Sequence, residues 1–256
     1  MKALFLSDAH LRGTDGAAYG KILGLLERIR GRGEAVEPQA SVDPLIIDLL
    51  VIAGDFFDFW FSRGEVIYPG FRLVVERIAA LKREGVRVVL CEGNHDFFLG
   101  DYFTGRLGIE VAPDAVELDI DGLRVLVSHG DTVDRDNLRY LALRKFLRSP
   151  FAFRLQRALP LEFLWRLARF SSELSNESSE ASQDRLAAVM QRFAQGKFRE
   201  GYDAVILGHC HKPLLRDETV AGKAKTFATL GDWNGHDTFL LYADGRFSLE
   251  RLARRQ

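Results

Sequence analysis

The chain has too few cysteines for a disulfide framework, with only Cys91 and Cys210 among its 256 residues. Two cysteines at this separation also lack the spacing of a cysteine-based zinc site, and their scarcity is typical of a reducing compartment. No uncharged stretch reaches the length of a membrane span. The first apolar run, "MKALFLSDAH", is too short for a signal peptide. We therefore expect a cytoplasmic globular protein.

A strong charge of either sign is also missing. The 35 Lys and Arg residues balance the 36 Asp and Glu residues, which gives a formal net charge of -1 at pH 7. Proteins that bind duplex nucleic acid normally carry a basic stripe, so we expect no nucleic-acid partner and regard a nuclease as a weaker interpretation. Any anionic partner must meet a local basic patch.

Five short apolar runs, each ended by small, polar or acidic residues, predict buried strands. They are "KALFLSD", "DLLVIAGD", "VRVVLCEGN", "LRVLVSHGD" and "YDAVILGH". Segments of helical periodicity separate the first three runs, which predicts parallel pairing and an α/β fold. The segments from "AKTFATLGDW" onward predict closing strands joined by tight turns.

The region from about 135 to 197 has helical periodicity with breaks at Pro150 and Pro160, and it predicts a helical insertion, or lid, in a single domain spanning 1–256. Its segment "RKFLRSPFAFRLQRALPLEFLWRLARF" interleaves Phe, Leu and Trp with arginines. Such a surface suits an anionic membrane interface, although an apolar stripe also commonly packs on its own domain. A second insertion, "GRGEAVEPQASVDP" at 31–44, is expected to be a mobile surface loop.

Side chains with oxygen or imidazole donors follow all five predicted strands. Open α/β sheets place their ligands at the carboxyl ends of strands. Any one of these residues could be a cap or turn residue, but together they predict two divalent ions held by carboxylate, imidazole and amide groups. The set, which contains five of the six histidines, comprises Asp8, His10, Asp55, Asp58, Asn94, His95, Asp96, His129, Asp131, His209 and His211.

The spacing within "DAH" and "GHCH" strengthens this interpretation. Residues two apart on an extended segment point the same way, so Asp8 and His10, or His209 and His211, can reach one metal cluster. We expect the two histidines of "GHCH" to be ligands, one for each ion. Cys210, between them, is expected to point away.

The series "DAH", "GDFFD", "GNHD", "HGD" and "GHCH" resembles the calcineurin-like metallophosphoesterase superfamily over most of the chain outside the helical insertion. The resemblance implies a four-layer α/β/β/α sandwich. It also implies that Asp55 bridges two metals, of which manganese is the expected ion and Fe, Co and Zn suit the same donors. The implied ligand sets are Asp8, His10, Asp55 and His211 for the first metal, and Asp55, Asn94, His129 and His209 for the second.

The implied chemistry is in-line attack of water on phosphorus, because two cations about 3.5–4 Å apart lower the pKa of a bridging water and clamp the phosphoryl oxygens. By resemblance His95, beside Asn94, is a catalytic side chain that stabilises phosphoryl charge or protonates the leaving oxygen. Asp58, Asp96 and Asp131 are expected to support the ligands by hydrogen bonding, although Asp58 could equally be a turn residue.

The longer motifs "GDFFDFW", "GNHDFFLG", "VSHGDTVDRDN" and "TLGDW" resemble the UDP-2,3-diacylglucosamine pyrophosphatase family of lipid A biosynthesis. This implies hydrolysis of UDP-2,3-diacylglucosamine to UMP and 2,3-diacylglucosamine 1-phosphate, at the cytoplasmic face of the membrane. Two features depart from that family: His95 replaces an arginine, and "SSELSNESSEASQDR" brings acids where lysine is expected. The candidate substrate contacts are Ser172, Asn176, Arg185, Arg166 and Arg169.

Two alternatives remain open at this stage. The first is a phosphomonoesterase or phosphodiesterase of broader specificity on the same fold, which His95 favours. The second is a non-catalytic scaffold, which the complete set of metal-ligand residues disfavours. The sequence predicts neither the oligomeric state nor the physiological metal.

Overall fold

The computed structural model describes residues 1–14, 16–31, 44–173 and 180–252. Most of the predicted surface loop at 31–44 therefore lies outside the described residues. The strands are β1 (Ala3–Leu6), β2 (Ile29–Arg30), β3 (Leu45–Ile46), β4 (Leu49–Ala53), β5 (Arg87–Cys91), β6 (Glu110–Ala112), β7 (Ala115–Ile120), β8 (Leu123–Ser128), β9 (Ala204–Leu207), β10 (Leu214–Val220), β11 (Lys223–Thr229), β12 (Thr238–Ala243) and β13 (Arg246–Arg251). The helices are α1 (Ala17–Arg28), α2 (Arg72–Arg83), α3 (Gly100–Leu107), α4 (Leu138–Leu147), α5 (Pro150–Ala158), α6 (Leu161–Glu173) and α7 (Glu180–Arg199).

The strands form two large sheets and one small one. The first sheet has the order β13-β12-β1-β4-β5-β6, the second has the order β10-β11-β9-β8-β7, and β2 pairs with β3. The neighbours β1, β4, β5 and β6 run parallel, as the alternation of apolar runs and helical segments predicts. In the second sheet β8, β9 and β11 are parallel.

The register aligns the carboxyl ends of the central strands. Leu6 at the end of β1 pairs with Ile52 in β4, and Ser128 at the end of β8 pairs with Leu207 at the end of β9. The segments that follow these strands therefore leave each sheet at the same level. This alignment brings the predicted metal-ligand motifs to one edge of the sandwich.

Alternate residues of each strand enter different layers, because successive side chains of a strand point to opposite faces. Phe5 and Val51 of the first sheet meet Val125 and Ile206 of the second in a core between the sheets. Even-numbered neighbours such as Leu4 pack instead against the helices outside the first sheet. The predicted four-layer α/β/β/α sandwich is confirmed.

Helix α7 forms the outer layer of the second sheet. Its buried side chains Ala187, Met190, Ala194 and Phe198 pack with residues of β8, β9 and β11. The sequence analysis assigned most of this segment to the insertion, because an amphipathic helix does not by itself reveal which surface it covers. The helices that lie outside the sandwich layers are therefore α4, α5 and α6.

Helix α6 packs on the core outside the first sheet through Leu161, Leu164 and Trp165. Helix α4 buries no side chain, and α5 buries only Ala152. None of the helices in the described ranges is both long and apolar enough to cross a membrane. Large apolar side chains of α4 and α5 such as Leu143, Phe146 and Phe151 are exposed on the surface.

Candidate metal centre

Sharp backbone turns hold the predicted ligands at the strand ends. Asp8, His10, Asp55 and His209 all have positive φ angles, of 50°, 42°, 49° and 60°. Such conformations cost about 1–3 kcal/mol each outside glycine and persist only where the surroundings fix them. Here backbone hydrogen bonds join the loops after β1 and β4: the Asp8 amide donates to Gly54 and the His10 amide to Asp55, at 3.1 and 3.0 Å.

The buried carboxylate of Asp96 fastens the loop after β5 to the loop after β4. It accepts hydrogen bonds from the backbone amides of Asp55, Phe56, Phe57 and Gly93, at 2.9, 2.7, 3.1 and 2.9 Å. Burial and the charge of Asp55 raise the pKa of Asp96 to about 7, against the lowering effect of the amide donors. Asp96 thus supports the ligand loops through their backbone.

Glycines precede the ligands because the loops approach each other too closely for a side chain. A Cβ atom on Gly93 would lie 2.1 Å from Oδ1 of Asp55, and one on Gly54 would lie 2.7 Å from the ring of His129. Gly54 also has a φ of 85°, which only glycine adopts readily. The "GD" and "GN" pairs of the sequence are therefore steric requirements of the site.

One group of donor atoms gathers around Asp8. Asp8, His10 and His211 each offer an atom within 4.8 Å of the others. Oδ1 of Asp8 lies 3.9 Å from Nε2 of His10 and 3.6 Å from Nε2 of His211, and Oδ2 of Asp55 lies 3.9 Å from Nε2 of His10. These four residues are the predicted set for the first metal.

A second group surrounds the other side of Asp55. Asp55, His129 and His209 also offer atoms within 4.8 Å of one another. Nε2 of His129 lies 3.3 Å from Oδ2 of Asp55 and 2.9 Å from Oδ1 of Asn94. Nδ1 of His129 lies 3.1 Å from the carbonyl oxygen of Ala53, which orients the ring. Asp55 therefore lies between the two groups, near His10 on one side and His129 on the other.

The unsatisfied polar atoms of this cluster fit a cation. Oδ1 of Asp8 and Nε2 of His10 are buried and have no hydrogen-bond partner among the described residues. Burying such atoms unpaired is costly, and both are ordinary metal-ligand atoms. Carboxylate, imidazole and amide donors together suit Mn, Fe, Co or Zn. The residues present therefore fit a pair of divalent ions.

The electrostatics of the cluster agree with this fit. Burial lowers the pKa of His129, but the neighbouring charge of Asp55 outweighs burial and raises that pKa to about 10. Burial and the charge of His129 lower the pKa of His209 to about 4. The buried carboxylates of Asp8 and Asp55 thus create an electrostatic field that favours positive charge. The lowered pKa of His209 keeps its imidazole neutral, which is the form that binds a metal.

Asp58 contacts three neighbours of the cluster. Its Oδ1 lies 3.6 Å from Nδ1 of His10 and 3.8 Å from Nδ1 of His95, and its Oδ2 lies 3.4 Å from Nε of Arg12. Its backbone oxygen lies 3.2 Å from Nδ1 of His95. Asp58 therefore lies beside Nδ1 of His10, on the side of the ring opposite the Nε2 atom that faces Asp8 and Asp55.

A cavity of about 1130 Å³ opens onto the cluster. His95 lines it beside Asn94, and Arg185 of α7 lines it as well. The residues in the first 213 positions match the profile of the calcineurin-like phosphoesterases. The chain belongs to the calcineurin-like phosphoesterase family. Membership in this family confirms the resemblance carried by the strand-end motifs.

Named relatives extend the likeness over nearly the whole chain. A UDP-2,3-diacylglucosamine hydrolase from Ralstonia nicotianae is 33% identical over 78% of this chain and 79% of its own length. Another from Aeromonas salmonicida is 29% identical over 98% of this chain and 93% of its own length. An archaeal phosphodiesterase of known structure has a TM-score of 0.48 and 15% identity, covering 98% of this chain and all of its own. The phosphoesterase is a metal-dependent hydrolase.

In this phosphoesterase Asp131 binds helix α4. Its Oδ2 accepts hydrogen bonds from the hydroxyl of Tyr140 at 2.5 Å and from Nε of Arg144 at 2.6 Å. Arg148, one turn further on, donates to Oε2 of Glu92 at 2.9 Å and to the carbonyl oxygen of Gly93 at 2.7 Å. By these contacts Asp131 joins the lid to the end of β8, and its predicted support of a ligand stays a prediction.

These α4 residues were missed in the sequence, although their spacing carried a signal. Tyr140 and Arg144 of α4 and Arg148 at its C-cap recur every four residues, a spacing that places side chains on one face of a helix. The sixth histidine was also missed. Asp232 is the aspartate of the "TLGDW" motif. Its Oδ1 lies 2.8 Å from Nδ1 of His236, and its Oδ2 lies 3.8 Å from Nδ1 of His211.

The remaining substrate candidates are placed less centrally. Arg166 is exposed on α6 and does not line the cavity. Arg169 and Ser172 also belong to α6, but their side chains are outside the described part of the structure, and Asn176 lies outside the described residues altogether. Cys210 is buried on the α7 side of the second sheet, away from the donor groups, as expected.

Changing Gly93 to alanine tests the steric requirement. We expect Gly93→Ala to abolish phosphodiester hydrolysis and to lower the free energy of unfolding by about 1–3 kcal/mol, because its Cβ would displace Asp55. Gly20→Ala is the control, since a Cβ there meets nothing within 4 Å in the exposed interior of α1. Urea denaturation and a bis-p-nitrophenyl phosphate assay measure both. Full activity in Gly93→Ala would contradict the claim that the site has no room for a side chain at this position.

Proposed function

We propose that the chain hydrolyses the diphosphate of UDP-2,3-diacylglucosamine to UMP and 2,3-diacylglucosamine 1-phosphate, a step of lipid A biosynthesis. The observation that carries this proposal is the complete donor cluster at the bottom of a cavity of about 1130 Å³. That cavity is large enough for the polar part of a nucleotide-linked sugar. The relatives named for this substrate match the chain over most of their length.

The proposed metal ligands are the two groups that meet at Asp55. Asp8, His10, Asp55 and His211 hold one ion, and Asp55, Asn94, His129 and His209 hold the other. Manganese is the proposed metal. Two such ions would supply positive charge for the phosphoryl oxygens and would make water acidic enough to act as a nucleophile at neutral pH. The protein's part is to hold the donors and to orient the substrate.

His95 is the proposed catalytic side chain. Its Nδ1 lies 3.2 Å from the backbone oxygen of Asp58, so this contact fixes the ring and leaves Nε2 to approach a phosphoryl or leaving oxygen. The side chain lines the cavity and is 31% exposed. An imidazole in this position donates a proton or hydrogen bond as negative charge develops. Arg185, on the same cavity, is a proposed substrate contact.

The exposed surface of α4, α5 and α6, here called the lid face, is the proposed membrane contact. Large apolar side chains are concentrated there, and exposed patches of this kind mark interaction sites. Arginines of the same helices would bind anionic head groups while the apolar residues meet acyl chains. Peripheral attachment at the cytoplasmic membrane surface follows. The apolar members of the lid face are Leu138, Leu143, Phe146, Phe151, Leu155, Phe163 and Leu167.

A broader phosphodiesterase activity is the second candidate. His95 favours it, because an imidazole after Asn94 serves any phosphoester, whereas the lipid-nucleotide family has an arginine there. On this alternative the lid face would restrict access without binding acyl chains.

Substrate choice separates the two candidates. With added manganese, we expect the kcat/KM for UMP release from UDP-2,3-diacylglucosamine to exceed that for bis-p-nitrophenyl phosphate by at least about 10²-fold, because binding energy from the remote parts of the substrate aids the chemical step. Cleavage of the artificial ester alone would leave the metal site intact and overturn the lipid-nucleotide assignment.

Vesicle binding tests the lid face. We expect the double variant Phe151→Ser/Phe163→Ser to bind phosphatidylglycerol vesicles at least about 10-fold more weakly in a sedimentation assay, since each lost ring removes about 1 kcal/mol or more of burial. Val66→Ser is the matched control, because Val66 is similarly exposed but lies outside these helices. Equal binding by the double variant and the wild type would show that the lid face does not contact the membrane.

A further inference from the structure

The donor cluster accounts for only one of the two phosphoryl groups of a diphosphate. Oδ2 of Asp55 lies 3.9 Å from Nε2 of His10 and 3.3 Å from Nε2 of His129, so the two donor groups surround one centre. The second phosphoryl group carries its own negative charge and needs another positively charged partner within the cavity. Among the described residues that line the cavity, the permanently charged cations are Arg12, Arg185 and Lys212.

Lys212 directly follows the proposed ligand His211. Arg12 lies on the segment that follows β1. It follows the proposed ligand His10 by two residues, at the end of the segment that carries Asp8. Lys212 already forms an ion pair with Asp184 of α7. Arg185 belongs to α7, on the side of the second sheet. Arg12 differs from the other two because its charged partner, Asp58, also contacts His10 of the cluster.

A buried carboxylate anchors the Arg12 side chain. Its Nε lies 3.4 Å from Oδ2 of Asp58, whose side chain is only 3% exposed, while the Arg12 side chain is 53% exposed. The other oxygen of Asp58 lies 3.6 Å from His10 and 3.8 Å from His95. The Asp58 carboxylate thus contacts Arg12, the proposed metal ligand His10 and the proposed catalytic side chain His95. A guanidinium held in this way presents a planar fork that matches phosphoryl oxygens.

A second cavity extends the site beyond Arg12. It has a volume of about 320 Å³, and Arg12, His10 and Asn234 line both this cavity and the larger one. Arg12 therefore lies at the junction of the two spaces. If the first phosphoryl group of a diphosphate lies at the donor cluster, the second would lie within reach of the Arg12 guanidinium.

We infer that Arg12 binds the second phosphoryl group of the substrate and so selects diphosphates over compounds with one phosphoryl group. This role rests on the proposed function for the identity of the diphosphate. Arg12 does not need to contact the metals for this role. Asp58 and His10 lie between Arg12 and the rest of the donor cluster. Arg12 is thus a specificity residue of the same site.

Binding of UDP and UMP tests this role without requiring turnover. We expect calorimetry on the manganese-loaded wild type to give a Kd for UDP at least about 10-fold below that for UMP, as for a charge-assisted bidentate contact. Arg12→Ala should remove most of this preference while changing the Kd for UMP by less than about 3-fold. Arg12→Lys should retain part of it, because the charge remains and the fork is lost.

Arg83→Ala is the matched control, since Arg83 is an exposed arginine of α2 that does not line either cavity. It should leave both dissociation constants unchanged. An unchanged UDP preference in Arg12→Ala, or an equal loss of UDP and UMP binding with loss of metal, would overturn the role. A wild type that prefers UDP but does not hydrolyse UDP-2,3-diacylglucosamine would sink the proposed substrate and leave the role of Arg12 standing.

Discussion

Two buried carboxylates, Asp8 and Asp55, set the constraint on which the rest of the site depends. Each raises the cost of ionising the other in a place where water cannot solvate them. The surrounding imidazoles offset that charge, and the orphaned atoms of Asp8 and His10 show that protein groups alone do not satisfy it. A pair of divalent ions satisfies both the charge and the unpaired donors. The chemistry of the family follows from this one demand.

The sandwich gathers enough donor groups around these carboxylates by bringing loops from two sheets to a single edge. Asp8, Asp55 and Asn94 follow strands of the first sheet, while His129 and His209 follow strands of the second. Neither sheet alone could surround a pair of ions. The strained turns at the strand ends persist because hydrogen bonds between the loops and the buried strands beneath them fix the backbone. The packed core thus holds the donor atoms in fixed positions.

The strands, and the meeting of the strand-end motifs at one edge, could be predicted from the sequence, because both depend on local patterns. Runs such as "DLLVIAGD" specify a buried strand and its terminal carboxylate in eight residues. Contacts between distant segments were harder to predict. Nothing local to α7 shows that Met190 covers the second sheet. Likewise, nothing local to the end of α4 shows that Arg148, its C-cap residue, reaches Gly93 across 55 positions. The contacts of Asp131 with Tyr140 and Arg144 of α4 could not be predicted for the same reason.

The most direct test of the central claim is the metal content of the purified protein, measured by inductively coupled plasma mass spectrometry after dialysis against manganese. The account predicts two ions per chain in the wild type and a loss of metal in His129→Ala. It predicts full metal content in His95→Ala with hydrolysis slowed by about 10²-fold or more. A wild type without bound metal, or a His129→Ala protein that keeps both ions, would contradict it.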